Sequence, residues 1–184
     1  MSTTSSTTST DIELVELAQD GHRAAFDELI RRHDERMRSL AFRLLADRHV
    51  MDDVLQDAYL KAFRGLDRFR PGSDFSPWLY RVTYNACIDE LRRRKRTPAS
   101  THEDAEIASM KPGPAQLVGT SEAVRLALAD LSAGQRITVV LVDGEGFDHQ
   151  EAADILGVAP GTVASRLYRA RTKLRRLLWD EMRR

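Results

Sequence analysis

Two stretches of this sequence place hydrogen-bond donors at intervals suited to nucleic acid. Towards one end, Thr162, Ser165, Arg166, Arg169 and Lys173 recur in steps of three and four, with Tyr168 among them. Such steps gather side chains on one face of a helix. Arginine can pair two donors with guanine O6 and N7, and Ser or Thr reaches phosphates and base edges. Earlier in the chain, Arg81, Asn85, Asp89 and Arg92 keep the same rhythm, and Arg93 continues into the run "RRRKR" at 92–96. Asn85, following the loop Phe69–Phe75, offers an amide that can donate and accept, and the arginines suit phosphates. A third set, Asp52, Asp53, Gln56 and Asp57, is acidic beside an apolar stripe, a pattern that belongs either to an ordinary amphipathic helix or to one that meets a basic, helical partner surface.

The elements that position these sets read as helices. Lys+Arg and Asp+Glu balance at 28 each, 42% of residues are hydrophobic and only 7% aromatic, which favours helix over sheet. Residues 1–10, "MSTTSSTTST", have no apolar segment; they read as a disordered tail and not as a signal peptide. Helical periodicity begins at Asp11 as N-cap, runs again from His22 to Ala46, and a third time from Met51 to Phe63. Ser76 reads as the cap of a long helix with Pro77 at its first position. On that helix Tyr80, Tyr84, Cys87, Ile88 and Leu91 form an apolar stripe apart from the donors, and Trp78 is either a core anchor or a stacking platform. Residues 97–120 are polar, aperiodic and hold Pro and Gly, so they read as a linker.

Helical patterns resume at Ser121–Leu131 and Ala133–Val142, then come two helices with a short turn between them. Gly157 closes the helix that begins near Asp148, and Pro160 or Gly161 opens the next: a helix-turn-helix. In the second helix Val163, Leu167, Ala170, Leu174, Leu177 and Leu178 take the face opposite the donors. The expected architecture is all-α, two small helical domains at 11–96 and 121–184 joined by an extended linker.

Several function classes find no support. The histidines (His22, His33, His49, His102, His149) lack metal-ligand spacing, and the lone Cys87 forms no internal disulfide. It is either a small core residue or a redox handle. "GEG" at 144–146 lacks a preceding strand and a Gly-rich continuation. No catalytic residue, metal or cofactor is expected, and no apolar run approaches the roughly 18 residues of a membrane span. Zero net charge also argues against a protein that coats DNA by charge alone.

The wording of the segments carries a resemblance. "GTVASRLYRARTKLRRLL" resembles region 4 of bacterial RNA polymerase sigma factors, departing at Ala164, where relatives often carry Lys or Arg. "HVMDDVLQDAYLKAFRGLDRFRPGSDFSPWLYRVTYNACIDELRRRKR", residues 49–96, is similar to region 2 of the extracytoplasmic-function (ECF) group of the sigma-70 family. The absence of a region 1.1 and a full region 3 fits that group, and "VTYNACIDELRRRK" resembles its actinobacterial SigM-like members.

The resemblance implies a cytoplasmic bacterial factor that binds core RNA polymerase, directs it to promoters and promotes opening. It assigns the −35 element to Thr162, Ser165, Arg166, Tyr168, Arg169 and Lys173, and the −10 element to Phe75, Arg81, Asn85, Asp89, Arg92 and Arg93. Asp52, Asp53, Gln56 and Asp57 would meet the β′ clamp helices, and the second domain the β-flap. An anti-sigma factor is a further expected partner. The competing reading is a stand-alone helix-turn-helix regulator, which would bind duplex DNA unaided.

Overall fold

The structure is a computed structural model that describes residues 9–45, 47–70, 72–96 and 122–182. The expected linker, 97–120, and nearly all of the expected tail lie outside the described residues. The tail reading is one step too long at its end. Thr10 is the N-cap of α1 (Asp11–Gln19): its hydroxyl accepts from the Glu13 amide at 3.3 Å, and the Glu13 carboxylate accepts from the Thr10 amide at 2.7 Å. Asp11, expected as the cap, instead accepts from Arg32 at 3.1 Å and meets the His33 ring at 2.6 Å, pinning α1 to α2 (Arg23–Leu45).

The next helix, α3 (Arg48–Gly65), starts three residues before the expected Met51, because Asp47 caps it by accepting from the amides of His49 and Val50. A 3₁₀ turn, Leu66–Arg68, follows. Then α4 (Phe75–Arg96) begins one residue ahead of the expected Ser76 cap. Phe75 is drawn into an aromatic cluster, 6.0 Å from the Phe69 ring and 5.6 Å from Trp78. These four helices close over Leu29, Met37, Leu40, Leu55, Leu66, Leu79 and Tyr80, all essentially inaccessible.

Among the described residues no strand occurs, and no helix is long and apolar enough to cross a membrane. The second set of helices is α5 (Glu122–Ala129), α6 (Ala133–Val139), α7 (His149–Leu156) and α8 (Pro160–Met182). The expected helix Ala133–Val142 ends at Val139 and continues as one π-helical turn, Val140–Gly144. Ser132 and Gln135 cap α6 reciprocally, and Asp148 and Glu151 do the same for α7. Gly157 ends α7 in the left-handed region, φ 65°, a conformation that only a residue without a Cβ adopts freely. The two sets are packed together: α7 lies against α4, and one apolar cluster runs from Leu79 and Tyr80 into Leu141, Ala153, Ile155 and Val163.

Candidate nucleic-acid interface

Helix α8 presents its donors as two lines, not one. Val163, Leu167 and Ala170 are buried, as the periodicity requires. The outermost line is Tyr168, Arg169, Thr172 and Arg176, with Tyr168 74% exposed. Ser165 sits at its edge; Arg169 donates to the Ser165 carbonyl at 3.2 Å and to its hydroxyl at 3.3 Å. Arg166 and Lys173 lie on the shoulder between that line and the core. Gly134 leaves room for Arg166, since a Cβ there would come within 3.3 Å of the guanidinium carbon. Lys173 is held by Asp130, 2.7 Å from both its carboxylate and its carbonyl. Thr162 is half-buried in the first turn, its carbonyl accepting from the Ser165 hydroxyl at 3.0 Å. The helical wheel places these residues on one side but cannot tell a shoulder from a crest; that depends on where α5 and α6 lie.

On α4, Arg81, Asn85, Asp89 and Arg92 are all exposed along one side. Arg92 is paired with Asp89 at 3.8 Å. The expected role of Phe75 needs correction: only 3% of it is exposed, so its ring has no open face for a base. It supports the loop from beneath. Trp78 resolves the same way, half-buried with its ring 5.2 Å from Phe69, which is a core anchor. Arg93 is exposed, but Glu90 takes its guanidinium at 2.7 and 3.0 Å, and Arg94 also bonds Glu90 at 3.0 Å. Those hydrogen bonds, Arg93 first, hold the Glu90 carboxyl below its ordinary range despite its burial.

Residues that periodicity passed over complete the picture. Gln19, at the end of α1, donates to the carbonyls of Leu66 at 2.8 Å and Phe69 at 3.0 Å, fixing the start of the loop that leads into α4. No local signal marks it, because its partners lie some fifty residues away in sequence. The acidic face of α3 holds a second such residue. Asp53, Gln56 and Asp57 face solvent, and Asp52 accepts from Arg38 at 2.6 Å. Beside them Leu60 is 47% exposed, apart from the buried stripe Val54, Leu55, Ala58 and Ala62. Its place three and four residues after Asp57 and Gln56 was available as a clue. An exposed apolar side chain one turn from the carboxylate of Asp57 is the pattern of a helix face that meets a partner of mixed apolar and basic character.

Cys87 is fully buried and its thiol is pushed up to about 12 by that burial, which makes it a packing residue and not an accessible thiolate. Among the described residues no cluster of His, Cys, Asp and Glu is arranged to hold a metal.

Known proteins match the chain across both sets of helices. The family described as Sigma-70 region 2 matches residues 29–97, and Sigma-70, region 4 matches residues 121–174. The chain is 44% identical over 168 residues to the ECF RNA polymerase sigma factor SigM of Mycobacterium tuberculosis, covering 91% of this chain and 84% of that one. It is 34% identical to the ECF RNA polymerase sigma-E factor of Escherichia coli K12, covering 88% and 91%. Among solved structures, CnrH in complex with the cytosolic domain of CnrY matches with a TM-score of 0.65 at 30% identity, over 91% of this chain and 96% of that one. The sigma factor RpoE in complex with the anti-sigma factor NepR, from Bartonella quintana, gives the same TM-score and identity over 83% and 96%.

Proposed function

The chain belongs to the ECF group of the sigma-70 family, and so directs RNA polymerase to promoters; from that premise we propose how its residues divide the work. Helix α8 reads the −35 duplex, with Arg169 and Tyr168 on base edges, Ser165 and Thr162 alongside, and Arg166 and Lys173 reaching the flanking backbone. Helix α4 handles the −10 strand. Asn85 meets an unpaired base there, Arg81 and Arg92 meet phosphates, Asp89 orients Arg92, and Arg93 follows once it leaves Glu90. Stacking in duplex DNA is worth only about 1.4 kcal/mol per step, so capture of unpaired bases can hold a few pairs open without ATP.

The outer face of α3, Asp53, Gln56, Asp57 and Leu60 with Asp52 at its margin, docks on the β′ clamp helices of core polymerase, and the second domain reaches the β-flap. The domains are 11–96 and 121–184, with 97–120 as the tether. The polymerase supplies the chemistry, and this factor supplies the address. The factor works in the cytoplasm, and an anti-sigma factor is its regulator, as NepR partners RpoE in the similar structure. The observation that carries this reading is the presence, on one chain, of two exposed donor-bearing helix faces, each inside its own matched region. A stand-alone regulator would leave the acidic face of α3 without a task.

The test is run-off transcription by bacterial core polymerase on genomic fragments, with and without this chain. Discrete new start sites are expected only in its presence. Starts that match those of core alone would end the proposal.

A further inference from the structure

Helix α8 carries a flank that its two lines of donors leave out. At about 100° per residue, Gly161, Ala164 and Tyr168 fall within an arc of about 60°, beside Ser165 and Arg169. All three are exposed, and Tyr168, at 74%, is the most exposed large hydrophobic side chain among the described residues. Nothing lies within 4 Å of the place where a Cβ on Gly161 would stand, so no neighbour in the fold demands a glycine there. Its bare backbone opens the first turn of α8 to close approach from outside.

This flank has little with which to hydrogen-bond a base. The next residue along it, Arg171, is tied to the Asp143 carboxylate, its Nε donating at 3.2 Å. Asp143 lies on the π-helical turn Val140–Gly144, so the pair braces α8 against that turn. Ser165 and Arg169 bond each other at 3.3 Å and belong to the neighbouring line. The Tyr168 hydroxyl is at the tip of its ring, where it suits a phosphate, and the ring carbons are the part nearest the helix.

In the major groove every base edge presents donors or acceptors, and thymine alone adds a methyl group. A surface without donors of its own can distinguish bases only by that methyl. The first turns of a recognition helix are the ones that reach base edges. Residues four apart on a helix place their Cβ atoms about 5–6 Å from each other. A long helical side chain also leans back over the preceding turn, which brings the Tyr168 ring toward Ala164.

We propose that Ala164 and Tyr168 form a thymine-specific contact, holding the 5-methyl group of one −35 base between them, with Gly161 admitting the groove to that depth. The inference deepens the reading of α8 as the −35 helix and rests on it. Ala164 is then a specificity-determining residue beside Arg169: the arginine selects by hydrogen bonds, the alanine by shape. Covering one methyl group is worth about a factor of four in binding.

The experiment uses the full chain with core polymerase on a promoter to which it directs starts. Each −35 thymine, on either strand, is replaced in turn by deoxyuridine, which removes the methyl and keeps every hydrogen-bonding group. At limiting polymerase, at least one position should lose about fourfold in run-off product. Ala164→Gly and Tyr168→Ala should each shrink that loss to less than about twofold. Ala164→Arg should move the preference at the same base pair from A·T to G·C, since guanine O6 and N7 then find donors. A fold defect does not produce such an exchange. Should Ala164→Gly lose helix by circular dichroism, Ala164→Arg, a good helix former, decides in its place.

A deoxyuridine loss undiminished in folded Ala164→Gly, or an Ala164→Arg chain that keeps its preference for A·T, overturns the contact. So does a scan in which no thymine responds. The two readings fail differently: absence of any directed start site sinks the promoter role and this inference with it, and directed starts indifferent to deoxyuridine sink this inference alone.

Discussion

Replacing Arg169 by alanine tests the division of labour on α8 directly. Among the described residues the guanidinium bonds its own turn, at 3.2 and 3.3 Å to Ser165, and the side chain is exposed. Exposed substitutions of this kind change stability by about 0.5 kcal/mol or less. For a chain of this size that moves the melting temperature by about 2 °C at most. A bidentate contact to a base edge is worth about 1–3 kcal/mol of discrimination, so promoter use should fall by roughly 5- to 150-fold. The assay is run-off transcription with core polymerase, on a matched promoter and on versions changed one −35 base at a time. Arg169→Ala should lose activity on the matched promoter and show a flattened preference at one position. Equal losses on every template, with a salt slope lowered by about one, would mean a phosphate contact and would refute the assignment.

Leu60→Asp should leave the fold intact and weaken competition for core polymerase about tenfold, because a half-exposed leucine that becomes covered contributes about 1–1.5 kcal/mol; unchanged competition would remove α3 from that contact. Gln19→Ala should cost about 1–3 kcal/mol, seen as a lower melting temperature, and slow promoter opening through the loosened loop after Leu66; a lower melting temperature with normal opening kinetics would make Gln19 purely structural. Acid should unfold the first domain in a defined window. Glu28, bonded first by Arg31 and then Arg32, is lowered to about 2, and Glu90 and Asp47 are also lowered, the last mainly by the Val50 amide. A carboxyl depressed in the folded state adds stability above its unfolded pKa and loses it as pH falls toward the folded one. Melting temperature should therefore hold from neutrality to about pH 4.5 and decline from there toward pH 2. A flat profile across that acid window at fixed ionic strength would contradict these pairings.

Much of this arrangement was legible because local rules produced it. The stripe Val163, Leu167, Ala170 and the glycine at 157 announce α8 and the turn before it without any tertiary knowledge. Capping was legible in kind and uncertain by a residue, since Thr10 and Asp11 are both good caps and only the pull of Arg32 and His33 on Asp11 decides between them. The role given to Phe75 failed for a different reason: nothing in its own neighbourhood says that Phe69 and Trp78 will converge on it. The same holds for Arg166 and Lys173, whose place on the shoulder of α8 is set by Gly134 and Asp130 on other segments. Periodicity finds the face of a helix; the neighbours determine which part of the face stays open.

Those neighbours also bear on why a factor of this kind gains from a scaffold. Three of the cations that would meet DNA are engaged already: Arg92 with Asp89, Arg93 with Glu90, and Lys173 with Asp130. DNA has to displace a carboxylate at each, so the counterion-release gain that draws most DNA-binding proteins to any duplex is reduced. Each pair is exposed at one partner or both and is therefore worth no more than about 1 kcal/mol, a barrier that a correct contact can overcome. A lone contact gains little after that exchange. Once polymerase holds both domains over one promoter, the second binding event becomes intramolecular and its effective concentration far exceeds that of free protein. Internal pairing thus suppresses binding where only one reader fits and tolerates it where both do, and the zero net charge of the sequence is the outward sign of that balance.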